Sequence, residues 1–341
     1  MLLPSRLPLR PYALAVGIGS FLSDAAAMAR VPETRSVGSN PGALRMFSYA
    51  PPRLPATRPL VVVLHGCGQD AARFAGDAGW LALAERHRVA LLLPQQSSAN
   101  NHGGCFSWFN AADACRGSGE AKSIRQMVRT ASLHFRSNPR QIFVAGFSAG
   151  GGMAAALLAA YPAVFAAGGI AAGMPVGAAQ SSVQALLHMR RAQRFRTRAG
   201  LAADVRAAAP PSSSRSWPRV SIWQGQRDRT VDPRNAEALA AQWSEVHGFG
   251  PEPTLEEDFT SGVRHVAWTR RGRTAVELWT LAETGHGFPV SPSEPGCGRI
   301  GPWVVDAGIG AAQCMAEFWG LDTAPRRTRV SPARPASARR T

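Results

Sequence analysis

QIFVAGFSAGGGMAAALLAA, residues 141–160, contains the strongest structural signal in the chain. Its first part, 141–145, is a short apolar run typical of a buried strand, and 151–160 is rich in the helix formers Ala and Leu. GFSAG at 146–150 lies between them and fits the pattern G-x-S-x-G. Because this turn is tight, it needs small residues around the serine, and it lifts the hydroxyl out of the sheet. The stretch predicts an α/β protein with Ser148 as a nucleophile.

Apolar runs like this one recur along the chain. They predict further strands at 60–64, 89–93, 219–223 and 276–281, with a weaker candidate at 167–172. Segments with an apolar face at helical spacing lie between the runs, at 121–135 and 235–247. Short buried strands that alternate with helices predict an α/β fold with a mostly parallel central sheet flanked by helices.

A serine hydroxyl is a weak nucleophile, so it needs a histidine base that is oriented by a carboxylate. In a sheet of this kind the acid and the base follow the serine along the chain. Asp228 comes shortly after the predicted strand 219–223, and His286 comes shortly after 276–281 in a Gly-flanked loop. Both side chains are therefore predicted at the sheet edge that carries Ser148, as its acid and its base.

Other residues compete for these two positions. Asp232 is the alternative acid, and Asp228 is preferred because it lies nearer the end of its strand. His247 and His265 are the alternative bases, but neither follows a strand directly within a Gly-flanked loop. The sequence leaves these alternatives open.

The negative oxygen that forms during attack on an ester needs hydrogen-bond donors. The backbone N–H of Ala149 is the expected first donor, because it directly follows the nucleophile. A second donor comes from the loop after an early strand, and LHGCGQ at 64–69 is such a loop. Glycine on both sides of Cys67 allows its backbone N–H to face the site. Cys67 and Ala149 are therefore the predicted oxyanion hole.

The chain of 341 residues carries a formal net charge of +16, from 38 basic and 22 acidic residues. Nearly all basic residues are arginine, the one lysine being Lys122, and several lie near the C-terminus. No nucleic-acid-binding motif accompanies them, so nucleic acid is not an expected partner. No apolar stretch is long enough to span a membrane. The five cysteines form no C-x-x-C pair, and we expect neither a metal nor a cofactor.

Three segments differ in composition from the predicted catalytic domain at 38–321. Residues 1–37 are predicted to be an N-terminal extension or an export signal, since a basic start and an apolar run precede the cleavage-like AMA at 27–29. A signal would place the protein outside the cell or in the periplasm, and the cytoplasm is the alternative. Residues 180–217, rich in Arg and then in Pro and Ser, are predicted to be an insertion or lid. Residues 322–341 are predicted to be a disordered basic tail.

With these residues assembled, the chain resembles the poly(3-hydroxybutyrate) depolymerase family of esterases over about residues 38–320. Members of this family are α/β-hydrolases that cleave polyesters or short esters, and feruloyl and acetylxylan esterases are relatives. The motifs that carry the resemblance are GSNPG at 38–42, LRM at 44–46, LHGCGQ at 64–69, CFSWF at 105–109, GEAKSI at 119–124, GFSAGGGM at 146–153, NAEALAAQW at 235–243 and Gly285-His286. The resemblance implies an α/β-hydrolase fold and the same triad and oxyanion hole.

The resemblance also implies disulfide pairing. It suggests a bond between Cys67 and Cys105 and, more loosely, a second bond between Cys297 and Cys314, which leaves Cys115 free. A disulfide requires an oxidising compartment. The pairing therefore agrees with the predicted export signal.

Gln69, Trp108 and Phe147 are candidate residues of the substrate pocket, and simple core packing is the equal alternative for Trp108. Two positions depart from the usual family pattern, because Gln224 stands where His is usual and Ser107 stands where Asn is usual. We expect neither to touch the triad, although both could alter the pocket.

The expected activity is hydrolysis of a carboxylic ester, in which His286 takes the proton of Ser148 as the serine attacks the carbonyl. Hydroxyalkanoate oligomers or small esters are the expected substrates, because the chain after residue 320 is too short for the polymer-binding domain that secreted polymer-degrading members carry. Acetyl or feruloyl esters of plant cell walls are the alternative substrates. A noncatalytic binding protein on a hydrolase scaffold is the alternative from another class.

Overall fold

The computed structural model describes residues 31–34, 38–193, 196–211, 216–259 and 262–321. Most of the predicted N-terminal extension and the whole predicted basic tail at 322–341 lie outside the described residues. Glu33–Thr34 is described and pairs with the strand Arg45–Tyr49. This short part of the predicted extension therefore belongs to the sheet.

The central sheet contains ten of the strands in the described residues. The strands are β1 (Glu33–Thr34), β2 (Arg45–Tyr49), β3 (Leu60–Leu64), β4 (Ala90–Gln95), β5 (Ile142–Phe147), β6 (Ala167–Ala171), β7 (Arg219–Gly225), β8 (Leu255–Asp258), β9 (Val263–Arg270), β10 (Arg273–Leu281), β11 (Phe288–Val290) and β12 (Val304–Asp306). Their order in the large sheet is β1-β2-β4-β3-β5-β6-β7-β10-β9-β8, and β11 pairs with β12 separately. The strands from β4 to β10 in this order run parallel, and antiparallel strands flank them on both sides.

Helices cover both faces of this sheet. They are α1 (Ala71–Asp77), α2 (Trp80–His87), α3 (Ala111–Ala114), α4 (Gly119–His134), α5 (Ala149–Ala160), α6 (Ser182–Arg190), α7 (Arg198–Ala208), α8 (Arg234–Val246) and α9 (Ala311–Trp319). α4, α5, α7 and α8 contribute to the core on one face, and α1, α2 and α9 contribute to the core on the other. None of these helices is long and apolar enough to span a bilayer.

β3 and β5, at the centre of the parallel part of the sheet, are buried on both faces, which explains their uninterrupted apolar sequences. All five residues of β3 and all six of β5 are buried. Each fully buried Val or Leu side chain contributes about 1.5–3 kcal/mol to folding. Because these strands are parallel, the loops after β3, β5, β7 and β10 meet at one edge, the carboxyl edge, where ligands bind in open α/β sheets.

The segment 180–217, predicted to be an insertion or lid, contains α6 and α7 in its described part. α7 packs against α5 and α8, so it belongs to the helical layer beside the sheet. α6 lies at the carboxyl edge, since the carbonyl of Met189 accepts from the N–H of Asp232 in the loop after β7 (2.7 Å). The exposed apolar residues of α6 are Val183, Leu186 and Leu187.

Candidate active site

Ser148 occupies the sharp turn between β5 and α5, with φ +54° and ψ −119°. A positive φ is uncommon for a residue with a side chain, so the surrounding structure must hold it. Its N–H donates to the carbonyl of Ala171 (2.9 Å). A Cβ at Gly146 would lie 2.0 Å from the carbonyl oxygen of Gly150, so the turn requires glycine there. The structure thus contains the strained turn that G-x-S-x-G predicts.

His286 lies in the loop after β10 and contacts both other predicted triad residues. Its Nε2 is 3.1 Å from Oγ of Ser148, and its Nδ1 is 2.7 Å from Oδ2 of Asp228. In a neutral imidazole with its proton on Nδ1, Nδ1–H donates to the carboxylate and Nε2 accepts from the serine hydroxyl. The three side chains therefore form one continuous chain of hydrogen bonds at the carboxyl edge.

The carboxylate of Asp228 is completely enclosed, with no exposed side-chain surface. Its Oδ1 accepts from the backbone N–H groups of Thr230 and Val231, both at 2.8 Å. Its Oδ2 accepts from His286 and from Nε2 of Gln224 (3.1 Å). Four donors thus fix the orientation of the carboxylate that faces the imidazole.

Gln224 was expected to stay clear of the triad, and this expectation was wrong. Its side chain is buried in β7 and its Nε2 donates to Asp228 as well as to the carbonyl of Gly225 (3.1 Å). A turn follows β7, in which the N–H of Asp228 donates to the carbonyl of Gly225 (3.3 Å), and it brings the carboxylate of Asp228 within reach of Gln224. Spacing along the sequence does not show this contact.

The alternative acid and bases have other contacts. Asp232 accepts from the N–H of Ala192 (3.1 Å) and forms an ion pair with Arg234, whose hydrogen bond holds the pKa of Asp232 below its usual value. His265 lies on β9 against a buried glutamate, and His247 lies at the end of α8. In the part of the chain that the structure describes, no three His, Cys, Asp or Glu side chains form a metal-binding group.

Neither of the two predicted oxyanion donors, the backbone N–H groups of Cys67 and Ala149, donates a hydrogen bond to another described residue. Ala149 is the first residue of α5, so its N–H has no acceptor within the helix. The N–H of Cys67 has no acceptor among the described residues. A Cβ on Gly150 would lie 2.4 Å from the carbonyl oxygen of Leu64. The start of α5 therefore passes directly beside the loop that carries Cys67.

Two cross-links hold residues 65–69, the loop that carries the predicted oxyanion donor Cys67 (the oxyanion loop). Cys67 forms a disulfide with Cys105. The side chain of Gln69 accepts from the N–H of Gly66 (2.8 Å) and donates to the carbonyl of Pro302 (2.7 Å). Gln69 therefore connects the loop to a second loop at the rim, and its predicted role in the substrate pocket stays a prediction.

A buried polar network supports the oxyanion loop from below. His65 is fully buried, with Nδ1 2.6 Å from the carbonyl of Gly66 and Nε2 accepting from the N–H of Gln96 (3.1 Å). Burial lowers the pKa of His65 to about 4, so its ring is neutral at pH 7. Glu120 accepts from Gln96 (2.6 Å) and from the N–H of Ser107 (2.9 Å), and burial raises its pKa to about 7. Ser107 thus belongs to this network and not to the triad.

Trp108 and Phe147, two further pocket candidates, are both mainly buried. Trp108 is 8% exposed and packs on Gly152, where a Cβ would lie 2.7 Å from its ring. Phe147 is 1% exposed, and its ring centroid is 5.0 Å from that of His286. Phe147 therefore supports the imidazole from beneath, and the pocket roles of both residues stay predictions.

Trp303 is a residue beside the site that sequence analysis missed. Its side chain is 54% exposed, and its ring meets that of His286 edge-on at a centroid distance of 5.9 Å. It has a positive φ of +60°, in a loop anchored by the ion pair of Arg299 with Asp77 (2.7 Å). The sequence shows only that a tryptophan follows the predicted base His286, and no motif places it beside the site.

The second predicted disulfide is not formed. Cys297 and Cys314 are free thiols, as is Cys115. The sulfur of Cys297 lies 3.8 Å from a carboxylate oxygen of Glu294, to which it donates. Cys314 is enclosed in α9, and burial raises the pKa of its thiol well above the usual value. Each sulfur is thus held by its own surroundings rather than by the other.

Comparison with known proteins adds to this geometry. Residues 44–256 match the family described as Esterase PHB depolymerase. The chain belongs to this family. The esterase is 35% identical over 292 residues to poly(3-hydroxyalkanoate) depolymerase C of Paucimonas lemoignei, an alignment that covers 85% of this chain and 70% of that protein.

Further similar proteins are acetylxylan esterases. It is 29% identical over 277 residues to an acetylxylan esterase of Coprinopsis cinerea, with 78% of this chain and 71% of that protein covered. The solved structure of an acetyl xylan esterase from Aspergillus awamori matches with a TM-score of 0.72 at 22% identity, over 85% of this chain and 99% of that one. The predicted α/β-hydrolase fold is confirmed, and the esterase is a carboxylic-ester hydrolase.

Proposed function

We propose that this esterase cleaves its substrates with Ser148 as nucleophile, His286 as base and Asp228 as the acid that orients the base. The observation that carries the proposal is the chain of two hydrogen bonds that joins these side chains, at 3.1 Å and 2.7 Å. Both distances lie within the range that proton transfer between a nucleophile and its base requires.

In the proposed mechanism, His286 Nε2 removes the proton of Ser148 as Oγ attacks the ester carbonyl. Asp228 stabilises the imidazolium that forms. The N–H groups of Cys67 and Ala149 bind the oxyanion, and the N-terminus of α5 adds a favourable dipole. The imidazolium protonates the departing alkoxide, and a water activated by the same ring then releases the acyl group.

We infer that the substrates are hydroxyalkanoate oligomers or other small esters with an apolar body. Trp303 exposes an aromatic face beside His286, and Ile300 on the same loop is 67% exposed. α6 adds further exposed apolar side chains at the carboxyl edge. Apolar surface of this kind is suited to an ester chain with few hydroxyl groups. The relative from Paucimonas lemoignei is a poly(3-hydroxyalkanoate) depolymerase, which supports the same class.

Acetyl or feruloyl esters of polysaccharides are the second candidate class. The observation that favours them is the similarity to acetylxylan esterases and to a feruloyl esterase of Talaromyces funiculosus. Initial rates on hydroxybutyrate oligomers, acetylated xylan and methyl ferulate distinguish the classes. We expect the oligomers to be cleaved fastest, and we expect Trp303→Ala to raise KM for the oligomers more than for p-nitrophenyl acetate. A fastest rate on acetylated xylan would contradict the first assignment.

The nucleophile is tested by p-nitrophenyl butyrate hydrolysis with wild type and Ser148→Ala. We expect the variant to lose about 10⁴-fold or more of the rate, since the serine forms the covalent intermediate. Thermal unfolding of both proteins is the control for folding. An inactive but folded wild type, or a variant that keeps its rate, would refute the proposed role of Ser148.

We further propose that the protein works outside the cytoplasm, in the extracellular space or the periplasm. The Cys67–Cys105 disulfide supports this, because such bonds persist in oxidising compartments. Cell fractionation followed by mass spectrometry of the N-terminus tests the proposal. Recovery of the protein in the cytoplasm with its thiols reduced would overturn it.

A further inference from the structure

The backbone N–H of Cys67 belongs to the same peptide unit as the carbonyl of Gly66. A peptide unit is planar and trans, so its N–H and its carbonyl point in opposite directions. Two donors hold the carbonyl of Gly66, namely Nδ1 of His65 (2.6 Å) and the backbone N–H of Gln69 (3.3 Å). Because the carbonyl is held on one side, the direction of the Cys67 N–H on the other side is fixed.

The side chain of Gln69 adds a second hold on this peptide. Its Oε1 accepts from the N–H of Gly66 (2.8 Å), so Gln69 binds both polar backbone groups of Gly66. A Cβ on Gly66 would lie 3.1 Å from Oε1 of Gln69 and 2.8 Å from the ring of Phe147, so the amide packs closely on the loop. The backbone carbonyl of Gln69 accepts from Nε2 of Gln95 (3.2 Å). Gln69 is therefore fixed through its backbone and through its side chain.

The other end of the same amide holds a turn at the rim of the site, residues 301–304. Two backbone hydrogen bonds of 3.0 Å close this turn, which carries Pro302 and Trp303 at its tip. Nε2 of Gln69 donates to the carbonyl of Pro302 (2.7 Å). The next residue, Trp303, has the exposed ring that meets His286 edge-on. One amide group thus connects the oxyanion peptide to the aromatic side chain beside the base.

We propose that Gln69 is a positioning residue that holds the N–H of Cys67 and the ring of Trp303 in one fixed relation. An ester whose apolar part lies on Trp303 then has its carbonyl oxygen placed at the oxyanion donor before attack, and such alignment of bound groups accelerates a reaction. Gln69 acts through these two groups and touches no reacting atom. The inference rests on the oxyanion hole and on the apolar substrate class of the proposed function.

Gln69→Met tests the proposal, because it keeps the length of the side chain and removes both hydrogen bonds of the amide. We expect kcat for p-nitrophenyl acetate to fall about tenfold, since one oxyanion donor is less well held. KM for a hydroxybutyrate trimer should rise about fivefold, the effect of one lost neutral hydrogen bond, while KM for p-nitrophenyl acetate stays constant. Thermal unfolding checks that the variant is folded. An unchanged kcat for the acetate, or an unchanged KM for the trimer, would overturn the proposal.

Gln69→Glu separates the two ends of the amide. The carboxylate keeps an acceptor for the N–H of Gly66 and loses the donor to the carbonyl of Pro302. KM for the trimer should therefore rise as in Gln69→Met, whereas kcat for p-nitrophenyl acetate should fall less than in Gln69→Met. The reverse pattern, with the larger loss in kcat and no rise in KM, would overturn the proposed division between the two bonds.

Gln313→Met is the matched control, because Gln313 donates to the carbonyl of Gly296 in the loop that leads to the same turn. Among the described residues, Gln313 has no hydrogen bond to the oxyanion loop. This variant should leave kcat for p-nitrophenyl acetate unchanged. An equal loss of kcat in Gln313→Met and Gln69→Met would overturn the proposal, because a general loosening of the rim would then explain both.

A double-mutant cycle with Trp303→Ala measures the coupling itself. In wild type this substitution should raise KM for the trimer, and in Gln69→Met it should raise KM by less than about twofold further, because the ring has already lost its position. Additive effects would overturn the proposal. Failure of the proposed function gives different results. An active Ser148→Ala would refute the nucleophile, and a trimer that wild type does not cleave would refute the substrate class.

Discussion

The two ends of β7 each lead to a charged side chain that is at least partly buried, Asp228 beyond the carboxyl end and Arg219 at the amino end. The carboxylate of Asp228 accepts from His286, from Gln224 and from two backbone N–H groups. Nε of Arg219 has no partner among the described residues. A complete network fixes catalytic geometry before any substrate arrives, whereas Arg219 is held by stacking on Phe318 and by burial rather than by a set of hydrogen bonds to Nε.

The largest expected effect separates Asp228 from its neighbour Asp232. Asp228→Asn should lower kcat by about 10⁴-fold, because an amide no longer selects the imidazole tautomer or stabilises its charge. Asp232→Asn should lower kcat less than about tenfold, because this residue only anchors the loop after α6. Steady-state rates on p-nitrophenyl butyrate measure both. If the larger loss followed Asp232→Asn, the complete network around Asp228 would not be the catalytic one.

Removal of the Cys67–Cys105 disulfide tests whether activity requires the oxyanion loop to be held in position before substrate binds. Cys105→Ser should lower the free energy of unfolding by about 2–4 kcal/mol, because a bond that joins residues 38 apart no longer restricts the unfolded chain. It should also lower kcat/KM by about tenfold to hundredfold, since one oxyanion donor loses its position. Urea unfolding and steady-state kinetics measure these effects. Cys115→Ser is the matched control, and an equal loss in that variant would contradict the role of the bond.

The buried network below the oxyanion loop gives a pH-dependent test. Burial raises the pKa of Glu120 from 4.5 to about 7 in the folded protein. The folded state therefore binds a proton more tightly than the unfolded state, and stability present below about pH 4.5 is lost as the pH rises through 7. The loss amounts to up to about 3 kcal/mol. Urea unfolding at pH 5 and pH 8 measures this loss as the difference between wild type and Glu120→Gln, because both proteins share the opposite change that comes from His65. Equal pH dependence in both would contradict this account.

His65 in the same network changes the stability with pH in the opposite direction to Glu120. Its pKa falls from 6.5 to about 4 on burial, so its contribution is present above about pH 6.5 and is lost as the pH falls through 4. The Glu120→Gln variant isolates this second effect at acidic pH, because it no longer contains the titrating carboxyl group. The support of the oxyanion loop is thus strongest when His65 is neutral.

The smallest expected effect is that of substituting Gln224, which tests whether this residue positions the carboxylate of Asp228. Gln224→Leu removes one of the four donors to Asp228 and should lower kcat about tenfold while KM stays constant, since the residue positions the carboxylate without touching substrate. Gln224→His, the residue usual in the family, should keep kcat within about threefold. A change in KM alone would show that Gln224 acts on the pocket instead.

The sequence predicted the parallel centre of the fold well and its edges poorly. The strands at 60–64 and 142–147 are buried on both faces, so they appear as uninterrupted apolar runs. β9 was missed because its sequence VRHVAWTR alternates buried and partly exposed residues and includes two arginines and a histidine. β2 was missed because it is short and contains two polar residues (RMFSY), and β8 was missed because all four of its residues, LEED, are exposed.

The candidate site shows a similar division. Ser148 and His286 could be predicted because strand, turn and glycine patterns mark them locally. The contact of Gln224 with Asp228 and the rim position of Trp303 could not, because each depends on how a loop folds back at the end of a strand.

The role proposed for the Cys67–Cys105 bond predicts that the measured rate depends on how the protein is produced. Protein produced in a reducing cytoplasm can fold around its hydrophobic core while the oxyanion loop lacks its disulfide. Such material would hydrolyse every ester of a test panel slowly. The low rates could then be interpreted wrongly as evidence that the panel lacks the natural substrate. Thiol titration after denaturation distinguishes the two cases, because the oxidised chain has three free cysteines and the reduced chain has five. Substrate preferences are therefore best compared only between preparations with three thiols per chain.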